Sequence, residues 1–325
     1  MGAGSEKWSG ICPAGVFAVI APVFSPVSPQ AEALSHIFVI TLLVCAAIFG
    51  IVTALVALCI LRFRSKPNDP DPIQITGSER LEFSWTAGSI LILVWLFVLT
   101  VHAMNVSDPA PDRPADLTVV GHQWWWEVRY PNGAVAANEI HIPTGSNLLI
   151  SAEAADVIHD LWVPQLGRKM DMIPGHPNLV WLRADAPGEY MGTCAEYCGD
   201  EHAWMRILVV AQSPADFEAW EARQLQAAPP PGSALALEGL KVFREKTCVN
   251  CHTIKGTDAD TSVAPNLTHF ASRETIGTGV LTNNAASVGL WLEDPQKIKP
   301  GCHMPNFNLR TNELTALTAY LETMK

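Results

Sequence analysis

The chain has 325 residues, which is enough for two or three domains. Its net charge of −11 argues against nucleic acid as a partner; it suits a basic protein partner, or simply solubility. The mean hydropathy of +0.17 is high for a soluble protein, and the apolar residues concentrate in the first third of the chain.

Residues 1–33 are expected to form an extracytoplasmic segment. Within it, residues 9–31 carry no charge and are moderately apolar, so a signal peptide is one interpretation. The basic start that such a peptide needs is weak, because Lys7 is offset by Glu6. Cys12 is a poor match to a lipoprotein cysteine, and we do not predict its acylation.

Two long stretches almost free of charged residues predict a transmembrane hairpin over residues 34–107, with spans at about 34–62 and 83–107. Both stretches exceed the roughly 20 apolar residues that cross a bilayer, which favours spans over buried core helices. Basic residues near the ends of spans stay in the cytoplasm, so both chain ends are predicted to face outward. The connecting segment carries these basic residues, which are Arg62, Arg64, Lys66 and Arg80.

Residues 115–226 alternate short β-rich runs with Pro-Gly and Asn-Gly turn signals, a pattern typical of an all-β sandwich or barrel. A helix over Phe217–Gln226 is expected to end this domain, because a Ser-Pro pair precedes it at Ser213. Residues 227–233 are rich in proline and predict a linker. Residues 234–325 then predict a small helical domain, with its first helix at Leu235–Glu245 and its last at Thr311–Met324.

The loop 194–205 carries metal-ligand chemistry. Cysteine, histidine and methionine are soft ligands that select copper over calcium or magnesium. A blue-copper site needs one cysteine, and this loop supplies two, so the surplus thiolate indicates a site with two bridged copper ions and one-electron chemistry. A second histidine must come from upstream. His159 is the best placed of four candidates, the others being His122, His141 and His176.

A second motif is Cys248-Val-Asn-Cys251-His252, whose C-x-x-C-H spacing indicates covalent attachment of haem c. A thioredoxin-like pair is the alternative, but no βαβ pattern surrounds the motif. Met304 is the best candidate for the sixth iron ligand, since methionine raises the haem potential. Two alternatives are that Met304 packs in the core or that His303 is the ligand. Cys302 has no assigned role.

Taken together, several stretches resemble subunit II of haem-copper cytochrome c oxidases, in the caa3 form with a fused cytochrome c domain. These stretches are Leu81–Thr86, Gly121–Trp126, Asp156–His159, Pro174–Gly175 and the loop 194–205. The resemblance covers nearly the whole chain. It implies a multidomain membrane protein with a two-helix transmembrane hairpin, an all-β cupredoxin-like domain and an all-α class I cytochrome c domain.

The resemblance also implies roles for single residues. The binuclear copper centre CuA would be held by His159, Cys194, Cys198, His202, Met205 and the backbone carbonyl of Glu196. The Glu196 side chain would contact a magnesium ion shared with subunit I. Trp124 would be the electron-entry residue between donor and copper; the alternative is surface packing. Three adjacent tryptophans cannot all point into a sandwich, so at least one should be exposed or at an interface. Glu82 matches the carboxylate at the mouth of a proton-conducting path, although a helix start also favours an acid there.

These implications lead to one functional hypothesis. The chain would relay electrons, through haem c and CuA, from a cytochrome c, another periplasmic carrier or a quinol-oxidising complex. The acceptor would be subunit I of a bacterial inner-membrane oxidase that also has a subunit III, reduces oxygen to water and pumps protons. The alternative is the equivalent subunit of a nitric oxide reductase with CuA. A nitrous oxide reductase lacks the membrane hairpin, and a copper chaperone needs no covalent haem.

Overall fold

The computed structural model describes residues 22–64, 70, 73–74, 77–111 and 113–325. The expectations for Cys12, for Lys66 and for most of the possible signal peptide fall outside this set. The chain divides into two compact units. One is Glu32–Pro109, and the other contains Ala110–Lys325 together with the described N-terminal residues up to Ala31.

Helices α1 (Pro29–Arg62) and α2 (Glu79–Ser107) are long and apolar enough to cross a membrane. At about 1.5 Å of rise per residue, each exceeds the roughly 30 Å thickness of a hydrocarbon core. Their most apolar windows are almost entirely uncovered by the described part of the chain, whereas the core helix of a soluble protein is mostly buried.

Each of these helices begins earlier than the predicted span, and the cause is local. Ser28 caps α1, because its Oγ accepts the Ala31 N–H at 3.0 Å while donating to the Leu166 carbonyl at 2.7 Å. Proline is favoured at the first helical position because its missing N–H has no intrahelical partner there. Helix α2 has Glu79 and Glu82 in its first turn, where the helix dipole favours acidic side chains. Apolarity therefore predicts the spans but misses these polar first turns.

The β domain is a sandwich of two five-stranded sheets. Its strands are β1 (Leu117–His122), β2 (Trp125–Arg129), β3 (Val135–Ala137), β4 (Glu139–Pro143), β5 (Leu148–Ala154), β6 (His159–Trp162), β7 (Met170–Met172), β8 (Asn178–Leu182), β9 (Gly188–Cys194) and β10 (Arg206–Gln212). One sheet has the order β3-β2-β1-β5-β8 and the other β4-β10-β9-β6-β7. The pairs β1–β5 and β4–β10 are parallel, and the remaining pairs are antiparallel. The fully buried side chains between the sheets include Trp126, Ile140, Ile150, Met172 and Ile207.

Helix α3 (Pro214–Gln224) packs on this sandwich through Trp220. The indole stacks on His141 with ring centroids 4.1 Å apart and meets Tyr130 edge-on at 5.1 Å. Ser213 caps the helix by accepting a backbone N–H of the first turn. This cap and the proline behind it start the helix before the predicted Phe217.

The C-terminal domain contains helices α4 (Ala234–Glu245), α5 (Ala285–Glu293), α6 (Pro295–Ile298) and α7 (Thr311–Leu321), with a short ribbon of β11 (Thr275–Ile276) and β12 (Leu281–Thr282). Helices α4 and α7 pack against each other. Phe243 meets Tyr320 at 5.7 Å between ring centroids, and Gly239 lies directly against the backbone of Ala316.

Replacing Gly239 with alanine should destabilise this domain by about 1–3 kcal/mol, because the added Cβ would overlap the Ala316 carbonyl oxygen. Gly289→Ala is the matched control: its Cβ would approach nothing closer than Thr318 Oγ1 at 4.0 Å, and alanine is the better helix former. The measurement is thermal unfolding of the C-terminal domain in each variant. An equal loss of thermal stability in both variants would contradict a close contact between α4 and α7.

Candidate metal and haem sites

Six potential copper-ligand groups meet at one end of the sandwich. The Cys194 and Cys198 sulfurs lie 3.7 Å apart. Cys194 Sγ is 3.9 Å from His159 Nδ1 and 3.2 Å from the Glu196 carbonyl oxygen. Cys198 Sγ is 3.7 Å from His202 Nδ1 and 3.8 Å from Met205 Sδ. The structure thus brings together every residue that the resemblance proposes as a CuA ligand.

Three elements position these groups. Strand β6 begins at His159, β9 ends at Cys194, and β10 begins directly after Met205. Strands β6 and β9 are paired, so the histidine and the first cysteine start from neighbouring strands. The loop between β9 and β10 is closed at its base, where the Cys194 N–H donates to the Met205 carbonyl at 2.9 Å. A rigid sheet end therefore holds the ligands in place.

His159 is fixed on two sides. Its Nε2 pairs with Asp156 Oδ1 at 2.8 Å, which leaves Nδ1 facing the cysteine sulfurs. Gly121 of the opposite sheet lies against the His159 side chain, and a Cβ there would come within 2.7 Å of Cδ2. Burial lowers the pKa of His159, but hydrogen bonds to Cys194 and Asp156 raise it by more.

The two thiols influence each other strongly. The hydrogen bond with Cys198, and then that with His159, hold the pKa of Cys194 well below its usual range despite burial. The same hydrogen bond raises the pKa of Cys198. Two like groups that share a proton behave in this way. Both cysteines are free and buried, and the donor set of two thiols, two imidazoles, a thioether and a carbonyl fits two copper ions.

The C-x-x-C-H motif forms a tight turn after α4. A 3₁₀ turn covers Cys248–Asn250, and Thr247 before it adopts a left-handed conformation with φ of 61°. His252 Nδ1 lies 2.7 Å from the Pro265 carbonyl, so this nitrogen carries the proton and donates. Burial lowers the pKa of His252, which keeps the imidazole neutral and leaves Nε2 for a metal. These residues therefore fit covalent haem attachment with His252 as an axial ligand.

Met304 lies in the segment between α6 and α7, and its sulfur accepts the Trp291 Nε1–H at 3.2 Å. Gln296 holds the surrounding backbone, because its Nε2 donates to the Cys302 and Met304 carbonyls at 2.7 and 2.9 Å. The Cys302 thiol is half-buried in the same arrangement, 3.2 Å from Gln296 Nε2. Trp291 and Gln296 were missed by the sequence reasoning, because no local motif marks either residue.

The three adjacent tryptophans have different surroundings. Trp126 is fully buried, and Trp125 stacks on His122 at 4.3 Å. Trp124 is half-buried; its Nε1 donates to the Cys198 carbonyl at 2.9 Å, and its ring lies 4.8 Å from that of His303. The remaining predicted residues, Glu196 and Glu82, both have exposed side chains, Glu82 in the first turn of α2.

A β-sandwich with a set of copper ligands, a domain with a c-type haem motif and two long apolar helices together define a membrane-anchored electron-transfer protein. Three family profiles match the chain: "Cytochrome C oxidase subunit II, transmembrane domain" at residues 23–103, its "periplasmic domain" at 134–212, and "Cytochrome c" at 236–325. Cytochrome c oxidase subunit 2 of Alkalihalophilus pseudofirmus is 36% identical over 309 residues, covering 92% of this chain and 90% of that protein. The chain therefore belongs to the cytochrome c oxidase subunit II family.

Two further proteins are similar to the chain. Cytochrome c oxidase subunit 2 of Bacillus subtilis is 32% identical, covering 82% of this chain and 81% of that protein. A crystal structure of the periplasmic domain of subunit II of cytochrome oxidase of Bradyrhizobium japonicum is 30% identical over 34% of this chain and 95% of that chain, with a TM-score of 0.33.

Family membership confirms the predicted fold class and the prediction that the chain is a cytochrome c oxidase subunit. The chain is a subunit of an oxidoreductase, and it assembles with subunit I of a haem-copper oxidase. The family implies CuA and haem c as cofactors and the inner membrane as the location.

Cys194→Ser should abolish the two-copper centre, because one of the two soft thiolate ligands is lost and the serine hydroxyl is a hard, protonated donor. We expect about two copper ions per haem c in the parent protein, and at most one in this variant, by metal analysis and electron paramagnetic resonance. Cys302→Ser is the control and should keep both. A parent protein with one copper and a Cys194–Cys198 disulfide would contradict the assignment.

Met304→Ala should lower the haem reduction potential and change the optical spectrum, because the thioether ligand that raises the potential is lost. His303→Ala should leave both unchanged. The reverse pattern would identify His303 as the ligand, and an unchanged spectrum in Met304→Ala would mean that Met304 only packs in the core.

Proposed function

We propose that this chain relays electrons from an external donor through haem c and CuA to subunit I, where oxygen is reduced to water and protons are pumped. The observation that carries the proposal is the position of Trp124. One compact unit contains both the copper-ligand groups and the haem motif. Trp124 donates to the carbonyl of Cys198, and its ring lies beside that of His303, the neighbour of Met304.

The residues around the copper-ligand groups support a relay and not a bond-breaking site. When bound, the two metal groups supply one-electron chemistry. The protein contributes rigid, dry surroundings: the side chains of His159 and Met205 are fully buried, and the Cys194 and Cys198 side chains nearly so. Ligands fixed by a sheet end and by Asp156 move little, which favours repeated oxidation and reduction without rearrangement.

The remaining parts of the proposal rest on exposed residues. The exposed Glu196 carboxylate would contact a magnesium ion shared with subunit I. Glu82, exposed on α2, would serve at the mouth of a proton path. The basic residues Arg62, Arg64 and Arg80 favour a cytoplasmic connection between two spans, with both soluble domains extracytoplasmic. Subunit III and a cytochrome, another periplasmic carrier or a quinol-oxidising complex complete the proposed assembly.

The purified complex should consume oxygen when it is supplied with a reduced donor, as measured with an oxygen electrode. Trp124→Phe keeps an aromatic ring but removes the hydrogen bond to Cys198, and it should slow uptake while leaving copper content and the haem spectrum unchanged. Consumption of nitric oxide in place of oxygen would reject the oxidase and support the nitric oxide reductase alternative.

A further inference from the structure

The loop 194–205, here called the copper loop, and the loop 299–304 that leads to Met304 face each other within one compact unit. Their facing residues are Trp124 with His303, Glu201 with Lys299, and Asp200 with Gly301. A further contact joins the two domains nearby, where the Thr278 hydroxyl donates to the Trp204 carbonyl at 2.6 Å. The haem domain is therefore seated directly over the loop that holds the copper ligands.

A buried ion pair lies at the centre of this interface. Glu201, in the loop between Cys198 and His202, is 0% exposed, and Lys299 is 3% exposed. Lys299 Nζ lies 3.2 Å from Glu201 Oε2 and donates to Thr278 Oγ1 at 2.8 Å. Neither Glu201 carboxylate oxygen has a hydrogen-bond partner within the described residues, so Lys299 is its compensating charge. A buried carboxylate without a cation is strongly unfavourable, so undocking requires water to reach Glu201.

A second anchor holds the same two domains together farther from the copper ligands. Glu139 of β4 is 2% exposed, and its Oε1 accepts the backbone N–H groups of Glu274 and Thr275 at 2.8 and 3.3 Å. The domains are thus joined at more than one place. Loss of one point is expected to loosen its own surroundings without releasing the whole domain.

The same interface contains an aromatic contact, between Trp124 and His303, that links the two candidate metal sites. Trp124 donates to the carbonyl of Cys198, a proposed copper ligand. On its other side, the ring of His303 lies 4.8 Å away at an angle of 51°. His303 is bonded to Met304, the proposed iron ligand. His303 is exposed, and Trp124 beside it is half-buried.

We propose that His303 passes electrons from the fused haem domain to Trp124, and that the Lys299–Glu201 pair is the lock that keeps the two rings in contact. In each transfer one electron leaves reduced haem c and reduces the copper centre, with no bond made or broken and no proton moved. Trp124 would then be served by this chain's own haem domain, and external donors would dock elsewhere on that domain. This inference rests on the proposed relay function.

The contact is tested by the single-turnover rate of electron transfer from haem c to copper in the purified complex, followed optically after rapid reduction of the haem. His303→Ala should slow this rate at least several-fold with unchanged haem and copper spectra. His303→Phe should restore most of the rate, because it returns an aromatic ring. An unchanged rate in His303→Ala overturns the inference and leaves the relay standing, whereas no transfer in the parent complex rejects the relay itself.

The lock is tested without an activity measurement, by hydrogen–deuterium exchange of residues 199–204 and 299–304 in the complex. Lys299→Met should speed exchange in both segments, because it leaves Glu201 buried without its cation. Adding Glu201→Gln should restore protection, since both charges are then removed. Lys297→Met is the control, because Lys297 is exposed and its removal should change neither segment. Equal exchange in Lys299→Met and the parent protein overturns the lock.

Discussion

The copper-ligand site depends on two buried cysteine sulfurs that lie 3.7 Å apart and are not joined by a disulfide. Two thiols in an oxidising compartment would normally form a disulfide. Here a strand end fixes Cys194, the Met205 carbonyl closes the base of the loop, and His159 faces the sulfurs from a neighbouring strand. The sandwich therefore acts as a frame that presents soft ligands together. Asp156 and Gly121 add a second set of constraints, because Asp156 defines which nitrogen of His159 is presented and Gly121 packs closely against its side chain.

In the haem domain, too, the proposed metal ligands are held in place by residues that are not ligands themselves. His252 is oriented by one backbone carbonyl, and the segment around Met304 is held by Gln296 and Trp291. In both domains a residue outside the ligand set aims the ligand. The two arrangements meet at Trp124, whose hydrogen bond belongs to the copper loop and whose ring contact belongs to the haem domain. The position of one indole thus depends on both domains being folded and docked.

Local sequence predicted much of this molecule. Uncharged stretches indicate the two long helices, and the ligand groups of the loop 194–205 and of Cys248–His252 lie within a few residues of one another, so spacing alone reveals them. Periodicity only weakly favoured His159 among four histidines, because its partners lie on another strand and the pairing of β6 with β9 is a tertiary property. The pairing of Glu201 with Lys299 cannot be predicted from the sequence for a related reason. Charged residues in loops are normally exposed, whereas these two are buried where the two domains meet.

The burial of Glu201 and Lys299 also has a consequence for ionic strength. Salt screens exposed charges over roughly 8–10 Å at physiological concentrations, but it acts much less on a pair that solvent does not reach. Encounters with a diffusing carrier through the acidic surface would weaken as salt rises. The contact between the haem domain and the loop 194–205 would not weaken with salt. Changes in salt outside the cell would therefore affect how fast electrons reach the chain, and not how fast they pass from haem c to copper.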